Sequence, residues 1–218
     1  QSVEVLNQLI RHQSKFIPAY LTQGAVFEEM GDTIKAMENY NKALEIDKYY
    51  APVYERRAML HFKQENYDAA LQDMNEAIRL ENLQPGYYIN RGLVRFYLND
   101  LRGAMADYDR VIDMDNSNLI ARFNRGILRS TVGDDRGAIE DFDKVIELEP
   151  DNHIALFNRS ILRFEARDYK NALADLEEVL AEYPNYLQGY YMRSEIKKQM
   201  GDLKAAEKDY WLAHDMED

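Results

Sequence analysis

Apolar positions recur three and four residues apart along most of the chain, in runs that end at short polar breaks carrying Gly, Asp, Asn or Pro. That spacing gathers the apolar side chains on one face of a helical turn and predicts a succession of amphipathic helices with no strand. The runs also repeat one another. "YYINRGLVRF" at 87–96, "ARFNRGILRS" at 121–130 and "ALFNRSILRF" at 155–164 are one polar-apolar word written at an interval of 34 residues.

Sliding the sequence against itself by 34 keeps residue type in column after column. One column reads Ala36, Ala70, Ala104, Ala138, Ala172, Ala206, and another Tyr40, Met74, Tyr108, Phe142, Leu176, Tyr210. A fixed period of this length is the mark of a stacked repeat architecture. The units are 17–50, 51–84, 85–118, 119–152, 153–186 and 187–218, with no insertion between them. Inside each unit a break such as "GD" (Gly31–Asp32, Gly133–Asp134, Gly201–Asp202) or "ND" (Asn99–Asp100) separates two helical patterns, so each unit reads as a helix hairpin. Small residues at Gly24, Ala58, Gly92, Gly126, Ser160 and Ser194 of the first helix are expected to face the alanine column of the second and let the two axes approach. Segment 1–16, with Val3, Leu6, Leu9 and Ile10 in phase, reads as one helix left from a preceding or degenerate unit. Glu207 and His214, polar where earlier units are apolar, read as a polar cap on the last unit.

With Tyr20, Tyr54, Tyr88 and Tyr190 in a first aromatic column, the small and alanine columns intact, and Pro150 and Pro184 near unit ends, the chain resembles the tetratricopeptide repeat family. The resemblance covers residues 17–218. It implies an all-α, right-handed superhelical solenoid of antiparallel hairpins, here six units and one N-terminal helix, whose first helices line a concave face. Two columns depart from the family pattern. Arg57, Arg91, Arg125, Arg159 and Arg193 stand for the usual Leu, and Arg95, Arg129 and Arg163 for the second aromatic.

Composition agrees with an ordered helical chain: 46% of the residues are hydrophobic, and 10 Gly and 5 Pro are few for this length. A net charge of −12 repels a phosphate backbone, which argues against nucleic acid as a partner. No run of apolar residues is long enough for a membrane span, so no membrane insertion is expected. The absence of Cys removes disulfides and thiolate chemistry without choosing a compartment, and the localisation stays open.

The pattern offers no catalytic or metal site: His12, His61, His153 and His214 fall in separate places in the repeat, and no phosphate loop or nucleophile motif is present. No cofactor is expected. The arginine columns face an acidic column, Asp73, Asp107, Asp141, Asp175 and Asp209, and are read as an internal ion-pair ladder. Binding chemistry lies elsewhere. Ile89, Leu93 and Phe96, Phe123 and Ile127, and Phe157 and Ile161, flanked by Tyr97, Ile120, Ile154 and Phe164, form a second apolar stripe at the positions that the resemblance makes ligand-facing. Beside it run Asn90, Asn124 and Asn158. Asparagine is disfavoured in mid-helix, and its amide can pair with the N–H and C=O of an extended peptide of any sequence. The family's chaperone-tail binders add Lys and Arg to grip a terminal carboxylate, and the matching places here are Ile, Phe, Leu or Gln. The expected function is therefore a non-catalytic scaffold that binds an extended, partly apolar protein segment. The alternatives are a self-assembly module and a regulatory segment of a larger protein whose catalytic part lies outside these residues.

Overall fold

A computed structural model describes residues 2–217; Gln1 and Asp218, which the sequence reading assigns to the leading segment and the last unit, lie outside the described residues. Among the described residues there are thirteen α-helices and no strand. They are α1 (Ser2–His12), α2 (Ile17–Glu29), α3 (Thr33–Ile46), α4 (Ala51–Lys63), α5 (Tyr67–Leu80), α6 (Pro85–Tyr97), α7 (Leu101–Met114), α8 (Leu119–Thr131), α9 (Asp135–Leu148), α10 (His153–Glu165), α11 (Tyr169–Glu182), α12 (Leu187–Gln199) and α13 (Leu203–His214). The chain divides into two compact stacks, Gln1–Met114 and Asp115–Asp218. In the first, α2 pairs with α3, α4 with α5 and α6 with α7, and α1, α3 and α5 each pack on the helix that follows. In the second, α8 pairs with α9, α10 with α11 and α12 with α13, joined by α9 against α10 and α11 against α12.

One turn design closes every hairpin. Gly31, Glu65, Asn99, Gly133, Arg167 and Gly201 all have positive φ, between 59° and 86°. In this left-handed conformation the chain reverses, and the next N–H reaches back to a carbonyl five residues earlier, as from Asp134 to Arg129 at 2.8 Å and from Asp202 to Lys197 at 2.9 Å. The side chain of that same residue then caps the following helix. Asp32, Asn66, Asp100, Asp134, Asp168 and Asp202 each accept the N–H three residues on. "GD" is thus two instructions in sequence: end one helix, begin the next.

The small column also has a ring to accommodate. A Cβ built on Gly92 would lie 2.6 Å from the Tyr108 ring, one on Gly126 2.9 Å from the Phe142 ring, and one on Gly24 would collide with the Tyr40 ring. The small residue makes room for an aromatic ring sixteen residues on. The sequence follows this rule. Tyr40, Tyr108 and Phe142 face Gly, while Ala58 and Ser160 stand sixteen residues before Met74 and Leu176, which have no ring. In the last hairpin Ser194 bonds instead to the Ala206 carbonyl at 2.7 Å, and Tyr210 is 48% exposed. Glu207 and His214 are exposed there too, with Trp211 beside them.

The first aromatic column staples unit entries. Tyr20, Tyr54 and Tyr88 each donate a hydroxyl hydrogen bond to the carbonyl six residues before, at Ser14, Lys48 and Asn82. Arg122, in the same column, makes the equivalent bond to the Asn116 carbonyl through Nε at 2.9 Å.

Candidate binding face

The arginine columns are engaged in internal ion pairs. Each of Arg57, Arg91, Arg125, Arg159 and Arg193 forms a two-pronged contact, through Nε and Nη2, to the Asp sixteen residues later, at 2.6–3.0 Å. The five aspartates are only 1–6% exposed, so an ionised carboxylate there needs this charge-assisted pairing. Arg57, Arg91 and Arg159 also reach back sixteen residues, to Asn41, Asn75 and Asp143, tying successive hairpins together. Gln23 reaches back in the same way to Asn7 of α1 at 2.9 Å, so α1 is bonded as the second helix of a hairpin would be.

A second cation completes most clamps: Arg95 on Asp107, Arg129 on Asp141, Arg163 on Asp175 and Lys197 on Asp209. The position matching these residues beside Asp73 is His61, whose Nδ1 is buried without a hydrogen-bond partner among the described residues. Burial holds its pKa below the usual value, against the pull of Asp73 and with the push of Arg57. The sequence reading separated the four histidines and so missed that His61 shares the column of Arg95, Arg129, Arg163 and Lys197.

The three asparagines have the same letter and different circumstances. Asn90 donates to Glu55 of the preceding first helix at 3.0 Å, and Asn158 donates to the Ile154 carbonyl of its own helix at 2.7 Å. Asn124 is half-buried, and its amide makes no hydrogen bond among the described residues.

The apolar stripe is likewise divided. Phe123 packs 5.7 Å from the Phe142 ring, and with Ile127 it rests on the core of Ala138, Phe142, Val145 and Leu162. Phe157 meets Tyr186 edge-on at 5.2 Å and packs on Leu176 and Ile196. Ile161 is half-buried. In the N-terminal stack Ile89, Leu93 and Phe96 are half-buried, and Phe96 lies 6.0 Å from the ring of exposed Tyr97. These side chains are therefore shared between core and surface. Apart from Tyr97 in the N-terminal stack, the open part of the stripe is Ile120, 61% exposed, and Ile154, 49% exposed. With Leu119, Phe123 and Val145 they line a cleft of about 520 Å³ within the C-terminal stack, bordered by Asp115, Ser117, Asn118, Glu149 and Asn152. Asp115 and Glu149 were not read from the sequence as site residues, although they lie in a column, Asp47, Glu81, Asp115, Glu149, that has the same period.

Among the described residues no group of His, Asp and Glu could hold a metal ion, and no helix is long and apolar enough to cross a membrane. Stacked hairpins with an aromatic-against-glycine seam and a cleft on the first helices define a helical repeat protein. Two family models described as tetratricopeptide repeat match it, one over residues 55–118 and 126–186 and the other over 17–50 and 187–212. The chain belongs to the tetratricopeptide repeat family. No curated protein matches the sequence. Solved structures with the same fold include a tetratricopeptide repeat protein from Parabacteroides merdae, 23% identical, covering 98% of this chain and 85% of that one, with a TM-score of 0.74. PilF of Pseudomonas aeruginosa is 17% identical over 88% of each chain, with a TM-score of 0.78. YrrB, described as a tetratricopeptide protein with an unusual peptide-binding site, is 20% identical, covering 86% of this chain and 96% of that one, with a TM-score of 0.68.

Proposed function

We propose that this chain is a non-catalytic scaffold that binds an extended, partly apolar protein segment along its first helices, with the cleft around Ile120 and Ile154 as the anchor. The observation that carries this reading is that these two isoleucines stand open beside a half-buried Phe123, on a helix whose Asn124 amide is unused. Exposed large apolar side chains around a concavity are what a partner's side chains can cover, and an idle amide nearby can bond its backbone. Phe157, Asn158 and Ile161 extend the face along α10. Ile89, Asn90, Leu93 and Phe96 are the corresponding residues of the N-terminal stack, where one amide N–H of Asn90 is already held by Glu55. Peptide binding by a protein of the same fold, as YrrB is described, supports the reading.

The experiment is to pan a displayed peptide library against the full chain and titrate the best binder against variants. Ile120→Ala and Ile154→Ala should each weaken binding by about 1–2 kcal/mol, since each side chain moves from partial exposure to burial in the complex. Asn124→Ala should cost about 0.5–1.5 kcal/mol, the range of one hydrogen bond. Lys144→Ala, half-buried on α9 and outside the lining of the cleft, should change nothing. If all three cleft variants keep their helicity and bind as tightly as Lys144→Ala, the cleft is not the binding site.

A further inference from the structure

The cleft of the C-terminal stack has a sign as well as a shape. Its apolar floor, Ile120, Phe123 and Ile154, is bordered by two carboxylates, Asp115 and Glu149, and by no Lys or Arg. Ser117 donates to Asp115 Oδ1 from its backbone N–H at 3.0 Å and its hydroxyl at 2.6 Å, which holds that carboxyl below the usual range and keeps it ionised at neutral pH. Asn152 donates to Glu149 Oε2 at 3.0 Å. These local bonds orient the two groups and leave Asp115 Oδ2 and Glu149 Oε1 with no hydrogen-bond or ionic partner among the described residues. Unlike the buried aspartates of the arginine clamps, both carboxylates are exposed, and they present their open oxygens to solvent at the border of the apolar cleft.

The helix that Glu149 ends adds to the effect. Glu149 is the C-cap of α9, at the negative pole of the helix, where a basic side chain would be favourable and an acidic one is not. The same inversion occurs at Asp47 after α3 and Glu81 after α5. At Glu149 this lowers the stability of the helix end while concentrating negative potential at the border of the cleft. The chain as a whole, at −12, carries the same sign.

Resting on the peptide-binding reading above, we propose that the segment bound here is cationic and amphipathic, its apolar side chains on Ile120, Phe123 and Ile154 and a Lys or Arg between Asp115 and Glu149. An acidic tail, or a second copy of this acidic chain, would be opposed by the same two carboxylates.

Three synthetic octapeptides test it, each acetylated and amidated, with the same alternating Phe and Ile and with Lys, Ser or Glu at the remaining positions. They are titrated by calorimetry into the full chain, into Asp115→Asn/Glu149→Gln and into Ile120→Ala/Ile154→Ala. The Lys peptide should bind the natural chain more tightly than the Ser peptide, and the Glu peptide more weakly. The carboxamide variant should lose about tenfold for the Lys peptide, the size expected of two partly exposed ion pairs, and nothing for the Ser peptide. Equal binding of all three peptides, with loss only in the isoleucine variant, would leave a peptide groove and overturn its cationic preference. An undiminished Lys peptide on the carboxamide variant would overturn it as well. No binding of any peptide to a chain of full helicity would remove both the preference and the groove.

Discussion

Tyr108 is sealed in the core because Gly92 has no side chain, and adding a single methyl there would bring it within 2.6 Å of the ring. Gly92→Ala should therefore destabilise the protein by about 1–3 kcal/mol, the usual cost of overpacking. Replacing the ring by methionine, as Met74 opposite Ala58 already does, should recover most of that loss in Gly92→Ala/Tyr108→Met. A urea double-mutant cycle that shows no coupling would mean the ring does not set the size of residue 92. The buried aspartates support a graded prediction. Arg57→Met leaves Asp73 beside a histidine, whereas Arg125→Met leaves Asp141 still paired with Arg129 at 2.9 Å. The first should cost about 3 kcal/mol and the second clearly less, because an uncompensated buried charge is the expensive outcome. Equal losses by thermal or urea unfolding would contradict the clamp hierarchy. His61 adds a pH dependence. Its folded pKa lies below the usual 6.5, so the unfolded chain takes up a proton that the folded chain resists. The contribution of neutral His61 is complete above that value and is lost as pH falls through the folded pKa. His61→Arg, which restores the second cation of the other clamps, should flatten the stability profile between pH 7.5 and 5 relative to the natural chain; an unchanged slope would assign that dependence to other groups.

At the scale of the hairpin, the left-handed residue of each turn is a local decision with a measurable cost. Gly133 adopts φ of 80° without strain, while Arg167 is held at 60° with a full side chain. Gly133→Ala should lose about 1 kcal/mol, and Arg167→Gly should gain at most a few tenths, since relief of strain is offset by the greater freedom of glycine in the unfolded chain. A melting temperature that falls more for Arg167→Gly than for Gly133→Ala would show that the turn is set by something other than φ. This turn was legible where Gly or Asn ends one helix and Asp begins the next, and not at Glu65–Asn66 or Arg167–Asp168, where a residue with a full side chain takes the left-handed position. The Arg and Asp ladder was legible for the same kind of reason, a constant offset of sixteen in a strict period. What could not be read is which neighbour a given letter meets. Asn90 and Asn158 share a column, but the residue one unit and one step back is Glu55 for the first and Phe123 for the second, and only the Glu55 side chain can accept a hydrogen bond from the amide. The size of the small residue follows the letter sixteen places on, Gly before a ring and Ala or Ser before Met74 or Leu176, but the orientation of the Tyr108 or Phe142 ring depends on its side-chain torsion and could not be read. Phe123 and Phe157 were likewise read as ligand-facing, and each also packs on its own hairpin core, so the stripe is narrower than its spacing suggests.

Across the whole molecule the balance of 39 acidic against 27 basic residues gives the two leading readings opposite dependence on salt. Two copies of a chain carrying −12 repel, and added salt screens that repulsion, so self-assembly through the apolar stripe should strengthen as ionic strength rises. Capture of a Lys-bearing segment at Asp115 and Glu149 depends on attraction, and the same salt should weaken it. At an ionic strength of about 0.15 M the screening length is about 8 Å, short enough to remove long-range steering yet long enough to spare a contact ion pair. The association rate of the Lys peptide should therefore fall more steeply with salt than its dissociation rate rises. Light scattering of the full chain across concentration, at low salt and at about 0.5 M, addresses the first dependence and stopped-flow binding of the peptide the second; at about 0.5 M the screening length has shrunk to roughly 4 Å. The peptide-binding reading expects a monomer at both salt concentrations and a salt-sensitive association rate. A dimer that tightens with salt, together with peptide association indifferent to it, would move the self-assembly reading ahead, with Ile120 and Ile154 as the contact that a second copy covers.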